Sequence, residues 1–185
     1  SIWKDMTERH MYITGATGAI HAGNEGYGEP YNIAPEDCYG ESCCAIANSV
    51  WAHRLNRLYA DASYMDQFEK IVYNTFLSAM AFNGQGMFYC NHVNRTTPDQ
   101  RSWAACPCCP GNVLSHYARI PSYVYSISDE GIYLNLFVDS KAHIPFGKGV
   151  SVTQQTEYPW EGKIAVEIDP NEEGTFGIFI RIPEW

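Results

Sequence analysis

The chain has 185 residues, of which 45% are hydrophobic, 14% aromatic and 18% charged, a composition typical of a globular protein that can bury a core. Its formal charge of −9 repels nucleic-acid phosphates and anionic lipid head groups, so we expect neither nucleic-acid binding nor membrane-surface binding. No apolar run approaches the roughly 18 residues that span a bilayer, and the first residues lack the pattern of a secretory signal.

The first predicted feature is a long irregular segment from Met11 to Asp37, which is rich in Gly, Pro, Tyr and Asn. Glycines such as Gly15 and Gly18 allow positive φ and a close approach of the backbone to other groups. Loops of this length inside compact proteins usually carry function. The alternative is a disordered tail, against which the tyrosines of the segment argue.

Two helices are predicted next, because apolar residues recur at three-to-four spacing over 41–59 and again over 65–80. The short break at 61–63 predicts that the two helices pack as an antiparallel αα-hairpin. Residues 88–112 are predicted to be irregular, and a short helix is predicted over 113–118.

After Pro121 the hydrophobic period becomes two, which predicts strands. The first two strands form a hairpin over 123–138. Further strands are predicted at 143–146, 150–156, 163–168 and 176–182. Helices followed by strands predict an α+β chain, divided into domains at 1–120 and 121–185. The second domain contains no cysteine, and we interpret it as structural.

The seven cysteines are Cys38, Cys43, Cys44, Cys90, Cys106, Cys108 and Cys109. An odd number argues against a closed disulfide framework. The Cα atoms of adjacent residues lie about 3.8 Å apart, below the roughly 4.4 Å that a disulfide usually needs, so Cys108 and Cys109 are not expected to pair. Reduced thiols favour a reducing compartment such as the cytoplasm, or protection by a metal.

Two cysteine clusters, 41–44 and 106–110, together offer more than four ligands for one metal ion. Zinc prefers about four ligands in a tetrahedral array and accepts both thiolate and carboxylate. Side chains two apart on a helix diverge, so Glu41 and Cys43 can share an ion only at the irregular start of the helix. Neither cluster has zinc-finger spacing, and buried, unreactive cysteines remain the alternative.

Four segments, in order, are similar to consecutive motifs of the bacterial β-L-arabinofuranosidases of glycoside hydrolase family 127. They are Tyr12–Gly15, Gly23–Gly28, Tyr39–Asn48 and the Cys-x-Cys-Cys-Pro-x-Asn signature at Cys106–Asn112. Segments 120–125 and 132–137 also resemble stretches that follow this signature in the family.

The resemblance implies a catalytic (α/α)₆ barrel followed by β-sandwich domains, in proteins several times longer than 185 residues. Residues 1–120 would then be the last part of the barrel and 121–185 the first strands of the sandwich. An incomplete barrel exposes apolar helix faces, so we expect self-association. The implied substrate is a plant glycan that carries β-L-arabinofuranosyl groups.

The resemblance also implies a zinc site formed by Glu41, Cys43, Cys108 and Cys109. In this site Cys108 is the nucleophile of a retaining glycosidase and Glu25 is its general acid/base. The family's acidic motif is altered here to Asn24-Glu25-Gly26-Tyr27, and Glu29 is a competing acid. The alternative function is a non-catalytic, zinc-stabilised carbohydrate-binding or structural fragment.

Two residues are predicted to bind the sugar. Tyr89 resembles a sugar-site tyrosine of the family, and His21 lies in the loop before Glu25, where it can hydrogen-bond to sugar hydroxyls. For Trp103 and Tyr27 ordinary burial is favoured over stacking on a sugar. The remaining cysteines, Cys38, Cys44, Cys90 and Cys106, are interpreted as small core or loop residues.

Overall fold

The computed structural model describes residues 1–20, 25–94, 99–100 and 106–185. The chain forms two compact units, Ser1–Ala118 and Arg119–Trp185, and each is described by itself. No helix in the described ranges has the length and apolar character that crossing a membrane requires.

The first unit is organised around two packed helices, α2 (Ser42–Tyr59) and α3 (Ala62–Ile71), which confirm the predicted helical pair. The break between them is only two residues long: Ala60 adopts a left-handed conformation, and the Asp61 carboxylate accepts a hydrogen bond from the Ser63 amide at 2.9 Å. α3 continues into a π-helical turn at Val72–Phe76.

A short helix that the sequence did not predict, α1 (Ile2–Arg9), precedes the long loop. Its one buried residue, Met6, packs with Met11, Ala45 and Ile71, and so joins the start of the chain to the helical pair. The described part of 10–41 is irregular apart from a 3₁₀ turn at Pro35–Asp37, as predicted.

The segment after the helical pair differs from its prediction. β1 (Phe88–Cys90) pairs antiparallel with β2 (Asp99–Gln100). The next helix, α4, spans Cys108–Arg119, so it begins at the cysteine pair rather than at Val113. Pro110 does not prevent this, because the first turn of a helix has no use for the backbone N–H that proline lacks.

The second unit contains two three-stranded sheets. Its strands are β3 (Tyr125–Ser128), β4 (Gly131–Leu134), β5 (Ser140–Ile144), β6 (Val150–Thr156), β7 (Ile164–Pro170) and β8 (Gly177–Ile180). The orders are β3-β4-β8 and β5-β6-β7. All pairs are antiparallel except β4–β8, which is parallel. The predicted hairpin and strands are therefore present, with shifted ends.

Side chains from both sheets form one core in this unit. Ile132 and Leu134 of β4 are buried together with Ile144 of β5 and with Val150 and Val152 of β6. These residues alternate along their strands with less buried ones, as expected for sheets with one buried face. The chain is thus a mixed α and β protein, with its helices in the first unit and two small sheets in the second.

Candidate active site and metal centre

Two helix starts bring the four predicted ligand residues together. Glu41 is the residue before α2 and Cys43 is the second residue of that helix, while Cys108 and Cys109 begin α4. One ligand atom from each of the four lies within 4.8 Å of the others. The backbone of Glu41 is also bridged to Cys90 in β1, which holds the start of α2 in place.

The spacing of these atoms fits a tetrahedral zinc ion. With Zn–S bonds of roughly 2.3 Å, two sulfurs on one tetrahedral ion lie about 3.8 Å apart, and a sulfur and an oxygen about 3.5 Å apart. The Sγ atom of Cys109 lies 3.8 Å from that of Cys108 and 3.6 Å from Oε1 of Glu41. Cys43 Sγ and Cys109 Sγ, at 3.1 Å, are closer than this geometry requires.

Both helices direct the positive ends of their dipoles at the cluster. Free backbone N–H groups at a helix N-terminus stabilise negative charge and lower the pKa of a thiol there. Asn112, one turn into α4, adds a hydrogen bond from Nδ2 to Cys43 Sγ at 3.2 Å. The local fold therefore favours thiolates before any cation is considered.

Without a metal, the three cysteine thiols have different pKa values. A hydrogen bond from Cys109 lowers the pKa of Cys43 to about 7. The same bond, together with burial, raises the pKa of Cys109. Burial and a hydrogen bond with Cys106 raise the pKa of Cys108 to about 11. At neutral pH Cys43 is thus about half in its thiolate form, whereas Cys108 and Cys109 are thiols.

The three cysteines differ in their access to solvent. Cys109 is 0% exposed, Cys43 is half-buried and Cys108 is exposed. The Sγ atom of Cys106, half-buried, lies 3.5 Å from that of Cys108. Cys108 is therefore the thiol of the set that is most accessible from solvent. All seven cysteines lie in the described ranges and all are free thiols, as predicted.

Glu25 is connected to the ligand cluster through Tyr39. The Tyr39 hydroxyl donates a hydrogen bond to Oε1 of Glu25 at 3.0 Å and lies 3.4 Å from Oε2 of Glu41. Glu25 has a φ of 50°, an uncommon left-handed conformation for a residue with a side chain. Sequence reasoning assigned no role to Tyr39; its position two residues before Glu41 in the same motif was the available signal.

A cavity of about 280 Å³ adjoins these groups. Its lining residues include Thr17, Glu25, Tyr27, Tyr39, Glu41 and Cys44. Two carboxylates and several hydroxyls in one cavity suit a polyhydroxylated ligand, because each can take part in a hydrogen bond with a sugar hydroxyl. Cys108 is not among the described lining residues, and Glu41 is the ligand that the cavity and the cluster share.

Tyr89 packs in one cluster with Tyr39, Cys90 and Cys109 and is not among the described residues that line the cavity. It is buried, its ring centroid is 6.3 Å from that of Tyr39, and the two side chains hydrogen-bond to each other. Burial raises the pKa of Tyr89, and the negative charges of Glu41, Cys108 and Glu25 raise it further. Its predicted contact with sugar stays a prediction.

The remaining predicted residues have three outcomes. Glu29 is not among the described residues that line the cavity, whereas Glu25 is, so Glu29 is the weaker acid candidate. His21 and Trp103 lie outside the described residues. Tyr27, for which ordinary burial was favoured, is 39% exposed and lines the cavity, so that interpretation was wrong. Cys44, which was interpreted as a small core or loop residue, also lines the cavity.

The chain matches two family profiles, one after the other. Residues 1–122 match the β-L-arabinofuranosidase GH127 catalytic domain, and residues 131–185 match the GH127 middle domain.

Named relatives are about 30% identical in sequence to this chain over the aligned part. A non-reducing end β-L-arabinofuranosidase of Bifidobacterium longum subsp. longum is 30% identical, over 99% of this chain and 30% of that protein. The crystal structure of a GH127 β-L-arabinofuranosidase from Geobacillus stearothermophilus T6 has a TM-score of 0.89 at 30% identity, covering 99% of this chain and 31% of that one.

A second solved structure, of a GH127 β-arabinofuranosidase, has a TM-score of 0.92 at 35% identity, covering 99% of this chain and 29% of that one. The chain thus spans about a third of the length of its relatives. Because the catalytic-domain profile alone covers more than half of these residues, the chain belongs to glycoside hydrolase family 127.

Proposed function

We propose that the protein to which this chain belongs is a retaining glycoside hydrolase that releases β-L-arabinofuranosyl groups from plant-type glycans. The observation that carries the proposal is the convergence of Glu41, Cys43, Cys108 and Cys109 within 4.8 Å, beside a cavity that contains a further carboxylate, Glu25. The identity of the sugar is inferred from membership of the family and from the names of the relatives.

Cys108 is the proposed nucleophile. It is exposed, whereas Cys109 is 0% exposed and packs against Tyr39, Tyr89 and Cys90. An attacking sulfur must reach the anomeric carbon from solvent or from a cavity, and Cys109 has no such access. The family resemblance assigns the same residue.

Glu25 is the proposed general acid/base. In the first step the Cys108 thiolate forms a bond to the anomeric carbon while the bond to the leaving oxygen breaks, and Glu25 gives that oxygen its proton. In the second step Glu25 takes a proton from water, the water oxygen bonds to the same carbon, and the carbon–sulfur bond breaks. The Cys108 thiolate and the protonated Glu25 are then restored for the next turnover, as the two carboxyl groups are in ordinary retaining glycosidases.

Zinc is the proposed cofactor, and its ligands would be Glu41, Cys43, Cys108 and Cys109. Bound zinc keeps its thiol ligands deprotonated at neutral pH. The chain contributes the two helix N-termini and Asn112, which favour the thiolate form. Tyr39 orients Glu25 and Glu41 relative to each other through its hydroxyl.

The same proposal extends to the fold of the whole protein. We infer that 1–120 is part of an (α/α)₆-type barrel and 121–185 part of a β-sandwich. The support is that the relatives are about three times as long as this chain and that the second unit has two small sheets with a common core.

The test uses the full-length protein loaded with zinc. Hydrolysis of 4-nitrophenyl β-L-arabinofuranoside is expected. A bromoacetyl-type arabinofuranose analogue is expected to label Cys108, located by peptide mass spectrometry. Labelling of Glu25 or Glu41 instead would replace this mechanism with the two-carboxylate one. Stoichiometric zinc without any turnover would favour the non-catalytic alternative.

A further inference from the structure

A second polar network lines the cavity and is not used by the chemistry proposed above. It consists of Thr17, Tyr27 and Cys44, which line the cavity, and of Asn48. Thr17 and Asn48 are only 1% and 4% exposed, and Cys44 is half-buried. Buried polar groups such as these need hydrogen-bond partners, and here they find them in one another.

The hydrogen bonds of this network have a direction. The Nδ2 atom of Asn48 can only donate, so Oγ1 of Thr17 accepts from it at 2.9 Å. Nδ2 of Asn48 also donates to Cys44 Sγ at 3.8 Å. Oγ1 of Thr17 lies 3.0 Å from Cys44 Sγ, and either atom of this pair can be the donor. The Tyr27 hydroxyl also hydrogen-bonds with Thr17 and Cys44. When Thr17 donates in that pair, Cys44 accepts from both Asn48 and Thr17 and keeps its own S–H as a donor at the cavity wall.

The other polar side chains of the cavity determine which kind of ligand can bind beside the Cys44 thiol. Glu25 and Glu41 bring two carboxylates, and no Lys or Arg is among the described lining residues. An anionic sugar would be repelled by these carboxylates, because none of the described lining side chains carries a compensating positive charge. A neutral sugar instead donates its hydroxyls to the carboxylates and offers hydroxyl oxygens to a donor.

We propose that Cys44 is a specificity-determining residue, whose thiol donates to a hydroxyl oxygen of a neutral sugar in the cavity while Thr17, Asn48 and Tyr27 hold it in that orientation. The inference rests on the proposed function for the identity of the sugar. It does not depend on which group is the nucleophile, because Cys44 lies on the cavity wall and is not one of the four clustered ligand residues.

The first test compares Cys44→Ala and Cys44→Ser in the full-length, zinc-loaded protein. With 4-nitrophenyl β-L-arabinofuranoside, we expect Cys44→Ala to lower kcat/KM by about threefold to tenfold, mainly through KM, as loss of one neutral hydrogen bond does. Cys44→Ser keeps a donor and is expected to restore most of the loss. Zinc content and melting temperature serve as controls for the neighbouring Cys43 and for folding.

A series of monodeoxy substrates identifies the hydroxyl. For the analogue that lacks the recognised hydroxyl, Cys44→Ala should carry no further penalty, because the interaction is already absent. A purely structural role for Cys44 would lower kcat/KM equally with every analogue. That result, or an unchanged kcat/KM in Cys44→Ala, would overturn the proposal.

A second readout needs no turnover and separates this proposal from the proposed function. Iodoacetamide alkylation of Cys44 in the zinc-loaded protein is followed by tandem mass spectrometry, with and without saturating methyl β-L-arabinofuranoside. We expect the sugar to slow labelling of Cys44 and to leave Cys38, which is 1% exposed, unaffected. If the wild type hydrolyses nothing, the proposed function fails, but the labelling experiment still tests the role of Cys44. If the sugar does not slow labelling of Cys44, the proposal for Cys44 is refuted.

Discussion

Cys108 and Cys109 are neighbours in the sequence but lie in different environments. Successive residues of a helix point about 100° apart, so the first residues of α4 face different surroundings. Cys109 is 0% exposed among Tyr39, Tyr89 and Cys90, whereas Cys108 is exposed. One thiol is therefore suited to holding the site together, and the other to meeting a ligand.

The two cysteines are expected to respond differently to the same substitution. In the full-length protein, Cys108→Ser should abolish turnover of an aryl β-L-arabinofuranoside while keeping much of the zinc. Cys109→Ser should lose zinc and activity together, because it removes a buried ligand that also bonds to Cys43 and Glu41. Zinc content and turnover are measured on the same samples. Turnover that survives in Cys108→Ser would contradict the assigned nucleophile.

Zinc binding should release protons, with a number set by the thiols. Cys43 has a pKa lowered to about 7, while the pKa of Cys108 is raised to about 11 and that of Cys109 is raised as well. Thiols bind zinc as thiolates, so near pH 8 about two protons are displaced, from Cys108 and Cys109, and affinity rises with pH. Below about pH 7 Cys43 is protonated too, and the dependence becomes steeper.

Calorimetric titration of zinc at pH 8, in buffers with different ionisation enthalpies, gives the number of protons released. Cys108→Ser, which is expected to keep much of the zinc, is the matched variant and should reduce that number by about one, because it removes a thiol that is protonated at pH 8. Proton release near zero would mean that the cluster is already fully ionised without metal.

At the scale of elements, the spacing of apolar residues predicted the helices and strands that bury one face. The helical pair followed from apolar residues on one face, and the β3–β4 hairpin from alternation around a turn. The start of α4 was missed because the prolines of Cys106–Pro110 indicate a break, although Pro110 occupies a first-turn position where proline is tolerated. The parallel β4–β8 pair could not be predicted, since alternation does not reveal which strands are neighbours.

The loop before Glu25 packs directly on α3 at Gly15. This glycine has a φ of +81°, and a Cβ atom there would lie 2.8 Å from Cγ1 of Ile71 and 3.0 Å from its Cα atom. Gly15→Ala should therefore lower the free energy of unfolding by about 2–4 kcal/mol, from backbone strain and overpacking together.

Gly84→Ala is the matched control for this substitution. Gly84 has a φ of +70°, but a Cβ atom at this position would have no described neighbour within 4 Å, so only backbone strain of about 1 kcal/mol is expected. Chemical denaturation measures both variants. Equal losses in the two would mean that the contact of Gly15 with Ile71 contributes nothing.

At the scale of the molecule, the ligand cluster closes a long loop between α2 and α4. Structural zinc contributes on the order of 10 kcal/mol of apparent binding free energy at neutral pH. Removal of the ion with a chelator should therefore lower the melting temperature of the zinc-loaded protein by at least about 10 °C. Differential scanning calorimetry checks this, with metal loss verified independently.

Cys106→Ala is the control for chelation, because Cys106 is not one of the four clustered ligand residues. This variant should melt like the wild type with zinc and should show the same fall without it. An unchanged melting temperature after verified metal loss would show that the cluster does not stabilise the fold.

The sequence motifs predicted the four ligand residues, whose proximity depends on the meeting of two helix starts. They did not predict the network of Thr17, Cys44 and Asn48. Its members lie in a loop and in α2, and nothing in their spacing indicates a common hydrogen-bond network. Cys44 directly follows the predicted metal ligand Cys43, and its position in the motif did not indicate a separate role.

The cluster also imposes an order of events during synthesis. Its first members, Glu41 and Cys43, leave the ribosome well before Cys108 and Cys109, by about 3–13 s at typical elongation rates. During that interval a nascent chain offers only one carboxylate and one thiol of the proposed ligand set, too few to hold zinc tightly in that site. The proposed zinc ion would therefore bind only after α4 has emerged, and for this Cys43 would have to stay reduced until Cys108 and Cys109 arrive.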